Sequence, residues 1–418
     1  MSKFIDMKNA LNTKDYSRWR DKTENIKEER ALIARYLYDG ILTSVYGFST
    51  LLGQLDNVAS TRKDQTKLLN AYLSGTPEGV STDIARWLTA VKLELLSNGG
   101  SGISVKSYEE LIRFLEEPKL CQIDFDASYS SGDVVPASWW INSIFLDSEE
   151  LRTGDLIALM NGNFVSLGMT AYAYSCFLDY VCRFLSMLKH YNLYSDFHTD
   201  LERNVVVSLG IPLLPVHSAP QPSVLERDIR PVLDLIFTSV REGVSCIDAS
   251  LSHPSANPLF KFEDDKVLAC SNSSFLNYMI PHMLCGSEYT LSVIARISYS
   301  LIGIKCREKL HGTDKNDPKW VQPPKDALEY CVSIESSSIN LAQTTGAESD
   351  GMENSWDTGL IHALHFLEQL EKAKKLQNIF LQVSMPENER VLLSEELLSM
   401  ADFWKLKILK KRGENNGR

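Results

Sequence analysis

Tyr129-Ser130-Ser131-Gly132-Asp133-Val134-Val135-Pro136 is the stretch on which the reading of this chain turns. A Ser-Gly-Asp step is ordinary turn chemistry, because glycine takes positive φ without steric cost and aspartate bonds its own backbone. The same step has a second chemistry. If the Gly132 amide nitrogen attacks the Ser130 carbonyl carbon and two waters leave, Ser131 becomes a dehydroalanine inside a five-membered imidazolone ring. The backbone is then its own electrophile. Residue 130 contributes only its carbonyl to such a ring, and its side chain stays outside. The string alone does not choose between turn and ring, so the choice falls to the rest of the chain.

Composition narrows the field first. The chain has 418 residues, 44% hydrophobic and 23% charged, the balance of a globular protein able to bury large cores. A net charge of −11 argues against a nucleic-acid partner, which would need a basic face. The basic run from Lys405 through Lys410, Lys411 and Arg412 to Arg418 reads as a solvated terminus. The opening MSKFIDMKNALNTKDYSRWRDK lacks the apolar centre of a signal peptide, and no run of 18 apolar residues follows. A cytoplasmic protein without a membrane partner is expected.

Cysteines 121, 176, 182, 246, 270, 285, 306 and 331 form no C-x-x-C pair, which suits reduced, mostly buried thiols and implies neither zinc nor disulfides. His362 and His365 stand one helical turn apart without an evident third ligand, so they read as an exposed or packed pair and no metal is expected. No G-x-S-x-G elbow, phosphate loop or G-x-G-x-x-G fingerprint occurs, and no nucleotide cofactor is suggested.

Helical periodicity dominates the middle of the chain. Tyr174, Leu178, Val181, Leu185 and Leu188 recur at spacings of four and three, as do Ile294, Ile297, Leu301 and Ile304, and Leu360, Leu364, Leu367 and Leu370 nearly so. Long helices with such seams pack side by side. The fold class expected is therefore mainly α, with a long central helical bundle and a smaller N-terminal region carrying the loop of the active site. The divisions fall at 1–165, 166–376 and 377–418. Loop-like stretches are read at Ser97 to Gly102, Pro212 to Pro222 and His311 to Pro324. Trp139 and Trp140 read as packing aromatics.

An ordered set of segments around the opening stretch resembles one family, the aromatic amino-acid ammonia-lyases and aminomutases, from about Ile26 to Gln369. Tyr46-Gly47-Phe48-Ser49-Thr50-Leu51-Leu52-Gly53 is similar to the family's Tyr-Gly-x-Asn-Thr-Gly-x-Gly loop, whose tyrosine is the catalytic base. The helical stretch Gln65 to Gly75 is similar to the segment bearing the side-chain selectivity position, which falls on Tyr72. Ser130-Ser131-Gly132-Asp133 stands where the family usually has Ala-Ser-Gly-Asp. Ala158-Leu159-Met160-Asn161-Gly162 resembles Ala-Leu-x-Asn-Gly, in which the asparagine contacts the ring and the substrate amine. Gln221, Arg227 and Asn257-Pro258-Leu259 keep the spacing of Gln-x-x-Tyr-Ser-Leu-Arg before Asn-Pro-Leu. Asn272 falls on the asparagine of Gly-Gly-Asn-Phe-His, and Thr344-Thr345-Gly346-Ala347-Glu348-Ser349 is a weakened form of Ser-Ala-Asn-Gln-Glu-Asp. Departures cluster near the substrate: Ser49 and Leu51, Val224 in place of a second tyrosine, Ser273 and Ser274 in place of Phe-His, and Ala347 in place of Gln.

The resemblance implies an ammonia-lyase or 2,3-aminomutase acting on an amino acid, aromatic by family habit. Its cofactor would be the 4-methylideneimidazol-5-one ring made from Ser130, Ser131 and Gly132. Tyr46 would take the β-proton, although a free tyrosine near pKa 10 is a poor base and needs help from its site. Arg227 would grip the carboxylate with its planar fork. Glu348 would hold the amine, while Asn161, Gln221 and Asn272 orient substrate or ring. The family also implies a homotetramer with sites shared between chains. Two other readings stand beside this one: a relative that never forms the ring and catalyses a different elimination, addition or cyclisation, and a non-catalytic helical scaffold.

Overall fold

Tyr174 explains why the long helices lie so close. On α9 (Phe164–Leu188) its hydroxyl donates to the Ser239 carbonyl at 2.6 Å, and its ring rests where a Cβ on Gly243 would come within 2.1 Å. Ser239 and Gly243 belong to α10 (Arg230–Ser252), so one glycine lets an aromatic from the neighbouring helix reach the backbone. The structure is a computed structural model. It describes residues 2–61, 64–126, 133–145, 151–188, 229–263, 266–272, 277–312, 314–336 and 359–384.

Around this contact the bundle is built from α11 (Met279–His311), α12 (Pro323–Ser336) and α13 (Gly359–Ser384). Helix α13 lies against α9, α11 and α12, and α11 also packs on α10. The stripe Tyr174, Leu178, Val181, Leu185 and Leu188 is wholly buried, as expected. Ile294, Ile297 and Leu301 are buried, with Ile304 half-buried. On α13 the reading shifts by one position. Leu360 and Leu370 are buried but Leu364 and Leu367 only half so, because the line facing the neighbours runs through Leu360, Ala363, Phe366, Leu370 and Ala373.

The N-terminal helices lean on this bundle and share one apolar core with it. Helix α1 (Lys3–Thr13) begins at Ser2, whose hydroxyl accepts from Ile5 N, and ends at Lys14 in the left-handed conformation. It packs on α10. After α2 (Ser17–Arg20) and α3 (Thr23–Tyr38), the chain passes through the Tyr46 loop into α4 (Asp64–Tyr72). Helix α5 (Thr82–Leu96), capped by Ser81, crosses the face of α9. Helices α6 (Val105–Glu116), α7 (Val134–Phe145) and α8 (Asp155–Met160) complete the crown. Strands are few: β1 (Glu78–Val80) pairs antiparallel with β2 (Cys121–Ile123), and β3 (Leu259–Glu263) with β4 (Lys266–Cys270). The fold is mainly α with a long central bundle. Helix α13 runs on through residue 376.

The turn at Ser97 to Gly102 is present, with Gly99, Gly100 and Gly102 all at positive φ; of the stretch His311 to Pro324, the ends belong to α11 and α12, and the described residues between them form turns and a short 3-10 helix, Pro318–Trp320. The Pro212 to Pro222 loop and the basic tail lie outside the described residues. Among the described residues no helix is long and apolar enough to cross a membrane. On α13, His362 Nδ1 lies 3.7 Å from Cys285 Sγ, and His365 Nδ1 meets Glu288 Oε1 at 2.9 Å.

Candidate active site

Of the residues singled out in the sequence, Tyr46, Tyr72, Asn161 and Asn272 are described; Ser130, Ser131, Gly132, Gln221, Arg227 and Glu348 lie outside the described residues. The four fall into two clusters joined by α8.

The first cluster is the tyrosine loop. Gly53 donates its backbone N–H to the Tyr46 hydroxyl at 2.9 Å, and a Cβ on Gly53 would stand 3.7 Å from the Tyr72 hydroxyl. Both phenols thus converge on one turn of backbone. A fixed N–H aimed at the phenolic oxygen supports negative charge there. The loop closes on itself through Ser49, whose hydroxyl accepts from Val45 N at 2.7 Å. It is pinned from outside by Phe48, which is buried edge-on against Phe260 with ring centroids 4.9 Å apart and lies beneath the Arg30 guanidinium. Next to the catalytic candidate, Gly47 sits at φ 70 with Ile157 of α8 against it, so any side chain there would collide.

The second cluster caps α8. Asn161 ends that helix in an extended conformation. Its Nδ2 donates to the Asn257 carbonyl at 2.8 Å and its Oδ1 accepts from Gly162 N at 2.7 Å. Asn272 donates from Nδ2 to the carbonyls of Pro254 and Ala256, and its N–H goes to Asn257 Oδ1. Asn257 therefore ties together two asparagines far apart in sequence. An amide oxygen carries two lone pairs, and the Gly162 N–H occupies one of those on Asn161.

Helix α7 follows directly on the Ser130–Asp133 segment and packs against both α4, which ends at Tyr72, and α8, which Asn161 caps. Gln65 of α4 accepts from Leu156 N of α8 at 3.3 Å. Trp140 of α7 is fully buried, donating to Thr89 Oγ1 at 3.2 Å, and Trp139 donates to the Ser74 carbonyl at 2.7 Å. Both tryptophans brace α7, as packing aromatics should. The imidazolone would be made of the chain's own atoms, so the test of fit is whether sequence and backbone allow it. Ser131 and Gly132 supply the required atoms, and the backbone leaves the segment through Asp133 at φ 49 while only 4% exposed. Aspartate is one of the few non-glycine residues that takes positive φ readily, so the exit is compatible with a tight turn of the backbone there. The residues fit the group.

Lys92 was not singled out by its sequence context. It lies on α5 with 3% exposure, its Nζ donating to the Asn161 carbonyl at 2.8 Å and lying 4.6 Å from the centre of the Phe164 ring. Burial pushes its ammonium down from 10.5 to about 7. The only hint in the sequence is a lysine inside the apolar run Ala90-Val91-Lys92-Leu93-Glu94-Leu95-Leu96. Because the folded value is depressed, the unfolded chain binds more protons between pH 7 and 10.5, and this group's contribution to stability rises with pH across that window. Below about 7 the full cost of the buried charge is present. Lys92→Met should lose that rise, so the wild type gains roughly 2 kcal/mol relative to the variant between pH 7 and 9, measured by chemical denaturation at the two values.

The arrangement defines a class: a helical protein of the ammonia-lyase and aminomutase fold. Phenylalanine aminomutase from Pantoea agglomerans superposes with a TM-score of 0.72 at 14% identity, over 94% of this chain and 92% of that one. Tyrosine aminomutase from Streptomyces globisporus gives 0.71 at 14% identity, over 87% and 82%. In sequence, the aromatic amino acid lyase family model matches residues 7–145. Histidine ammonia-lyase from Clostridium tetani is 31% identical over 117 residues, which is 26% of this chain and 23% of that relative. Residues 7–145 are similar in sequence to the aromatic amino acid lyases, and the matched segment spans about a quarter of that relative's length.

Proposed function

We propose that this protein is a carbon–nitrogen lyase or 2,3-aminomutase that removes or moves the α-amino group of an amino acid, aromatic in its side chain. The observation that carries the reading is convergence. Helix α7, issuing from Ser130-Ser131-Gly132, packs on the two helices that end at Tyr72 and Asn161, while Tyr46 is held against the same crown through Gly47 and Ile157. The self-made imidazolone would supply an electrophilic carbon for the substrate amine.

The remaining work falls to side chains. Arg227 binds the carboxylate bidentately, which fixes the substrate's orientation. Tyr46 takes the β-proton, and the Gly53 N–H on its oxygen supports the charge the phenol must carry before it acts. Glu348 holds the amine, Gln221 and Asn272 order the carboxylate side, and Asn161 orients the ring. Tyr72 stands beside Tyr46 at Gly53, where a hydroxyl can read a polar or phenolic substrate side chain. The ordered family segments also support a homotetramer whose sites draw on more than one chain.

A second reading keeps the fold and drops the ring, leaving another elimination, addition or cyclisation. It is favoured by Ser49, whose hydroxyl closes its own loop. One set of measurements on the purified protein separates the two. Ring formation gives a mass deficit of two waters in the intact chain and a near-ultraviolet difference band, and a panel of amino acids then yields alkene with ammonia, or β-amino acid. An intact backbone mass with no product from any aromatic amino acid overturns the lyase reading.

A further inference from the structure

Helix α5 holds the crown from behind at two points one turn apart. Thr89 accepts the Trp140 indole N–H from α7, and Lys92 donates to the carbonyl of Asn161. The Trp140 and Phe164 rings lie 4.8 Å apart, so the two points share one aromatic contact. Lys92 has no part in the reaction set out above, and among the described residues no carboxylate pairs with it. An ammonium buried without a counter-charge is costly. Near pH 7 the group is half neutral, so what sets it apart from leucine or methionine is the hydrogen-bond donor at its end and what that donor touches.

What it touches is a helix end and the start of another. Asn161 closes α8, whose last carbonyls have no partner within the helix. Phe164 opens α9. Between them the chain turns through Gly162 at φ 102, pressed so closely by Ser255 that a Cβ would lie 2.8 Å from its hydroxyl. A single Nζ therefore touches both sides of the 161–163 turn, the Asn161 carbonyl and the Phe164 ring.

We propose that Lys92 is a positioning residue for the active site: by donating to the Asn161 carbonyl beneath the Phe164 ring, it fixes the turn that aims the Asn161 amide. This rests on the reading of the site given above. It differs from a packing role, which the aliphatic stem alone would fill.

The test uses the full-length protein in two variants. Lys92→Arg keeps a charged donor, and Lys92→Met keeps the stem and removes the donor. Expected for the Met variant is a kcat lowered about tenfold to a hundredfold with KM largely unchanged, the scale on which a misplaced group acts, and recovery of most of that loss in the Arg variant. Amide hydrogen exchange across residues 161–164 should quicken in the Met variant and not in the Arg variant, whether or not the protein proves to be a lyase. A lowered melting temperature in both variants, or a Met variant with wild-type exchange over 161–164, overturns the proposal. Loss of the lyase reading alone silences the kinetic arm and leaves the exchange arm to decide.

Discussion

Ser131→Ala is expected to fold, to keep the mass of an unmodified chain and to lose turnover by roughly 10³-fold or more, the scale on which removing an essential covalent catalyst acts. Alanine has no β-oxygen to leave, so no dehydroalanine can form and the near-ultraviolet difference band should vanish with the activity. Ser130→Ala is the informative companion. Residue 130 contributes only a carbonyl carbon to the ring, and the family's usual residue there is alanine, so this variant should retain the band, the mass deficit and most of the turnover. If both serines mattered equally, a hydroxyl-bonded turn would explain the segment better than a ring. If neither mattered, the electrophile would have to be abandoned while the fold stood. Intact-protein mass, the difference spectrum and product formation on the three proteins decide the matter.

What could be read in the sequence, and what could not, divides along the range of the interaction. The seam on α9 is local: a 3.6-residue period brings Tyr174, Leu178, Val181, Leu185 and Leu188 onto one face whatever the neighbours are, and all are buried. On α13 three helices compete for contact, so the face actually covered is turned toward Ala363 and Phe366, and the leucines alone mislead. The family segments gave residue types in order, including Tyr46, Tyr72, Asn161 and Asn272. They said nothing of the bonds between them. That Gly53 serves Tyr46, or that Asn257 joins Asn161 to Asn272, depends on the chain returning to the same place, and no spacing encodes it. Lys92 was missed for the opposite reason. A lysine in a helix is ordinarily solvated, and only the packing of α5 across α9 shows that this one has no route to water.

Asp155→Ala should be among the most damaging single changes at the crown, costing about 3–5 kcal/mol, because it strands several buried donors at once. Asp155 is fully buried at the start of α8. Its Oδ1 accepts from Ser104 N at 2.9 Å; its Oδ2 accepts from the hydroxyls of Ser104 and Ser107, at 2.7 and 2.8 Å, and from Arg152 N at 3.0 Å. Ser104 is also the N-cap of α6, and the positive charge of Arg30 faces the same carboxylate while its guanidinium donates to the carbonyls of Gly102 and Thr153. One side chain thus fastens the first turns of α6 and α8 together. Helix α8 then carries Ile157 against Gly47 of the tyrosine loop and ends at Asn161, so loosening its first turn displaces both clusters of the site. Asp155→Asn keeps an acceptor for Ser104 N and lets the two hydroxyls rotate to accept from the new amide. It still sets that amide against Arg152 N–H and leaves Arg30 without its counter-charge, so an intermediate loss is expected. Chemical denaturation of the three proteins should order them wild type, Asn, Ala, and turnover should fall in the same order. An Ala variant within experimental error of wild type in its denaturation midpoint would mean that the first turn of α8 is held by something other than this carboxylate.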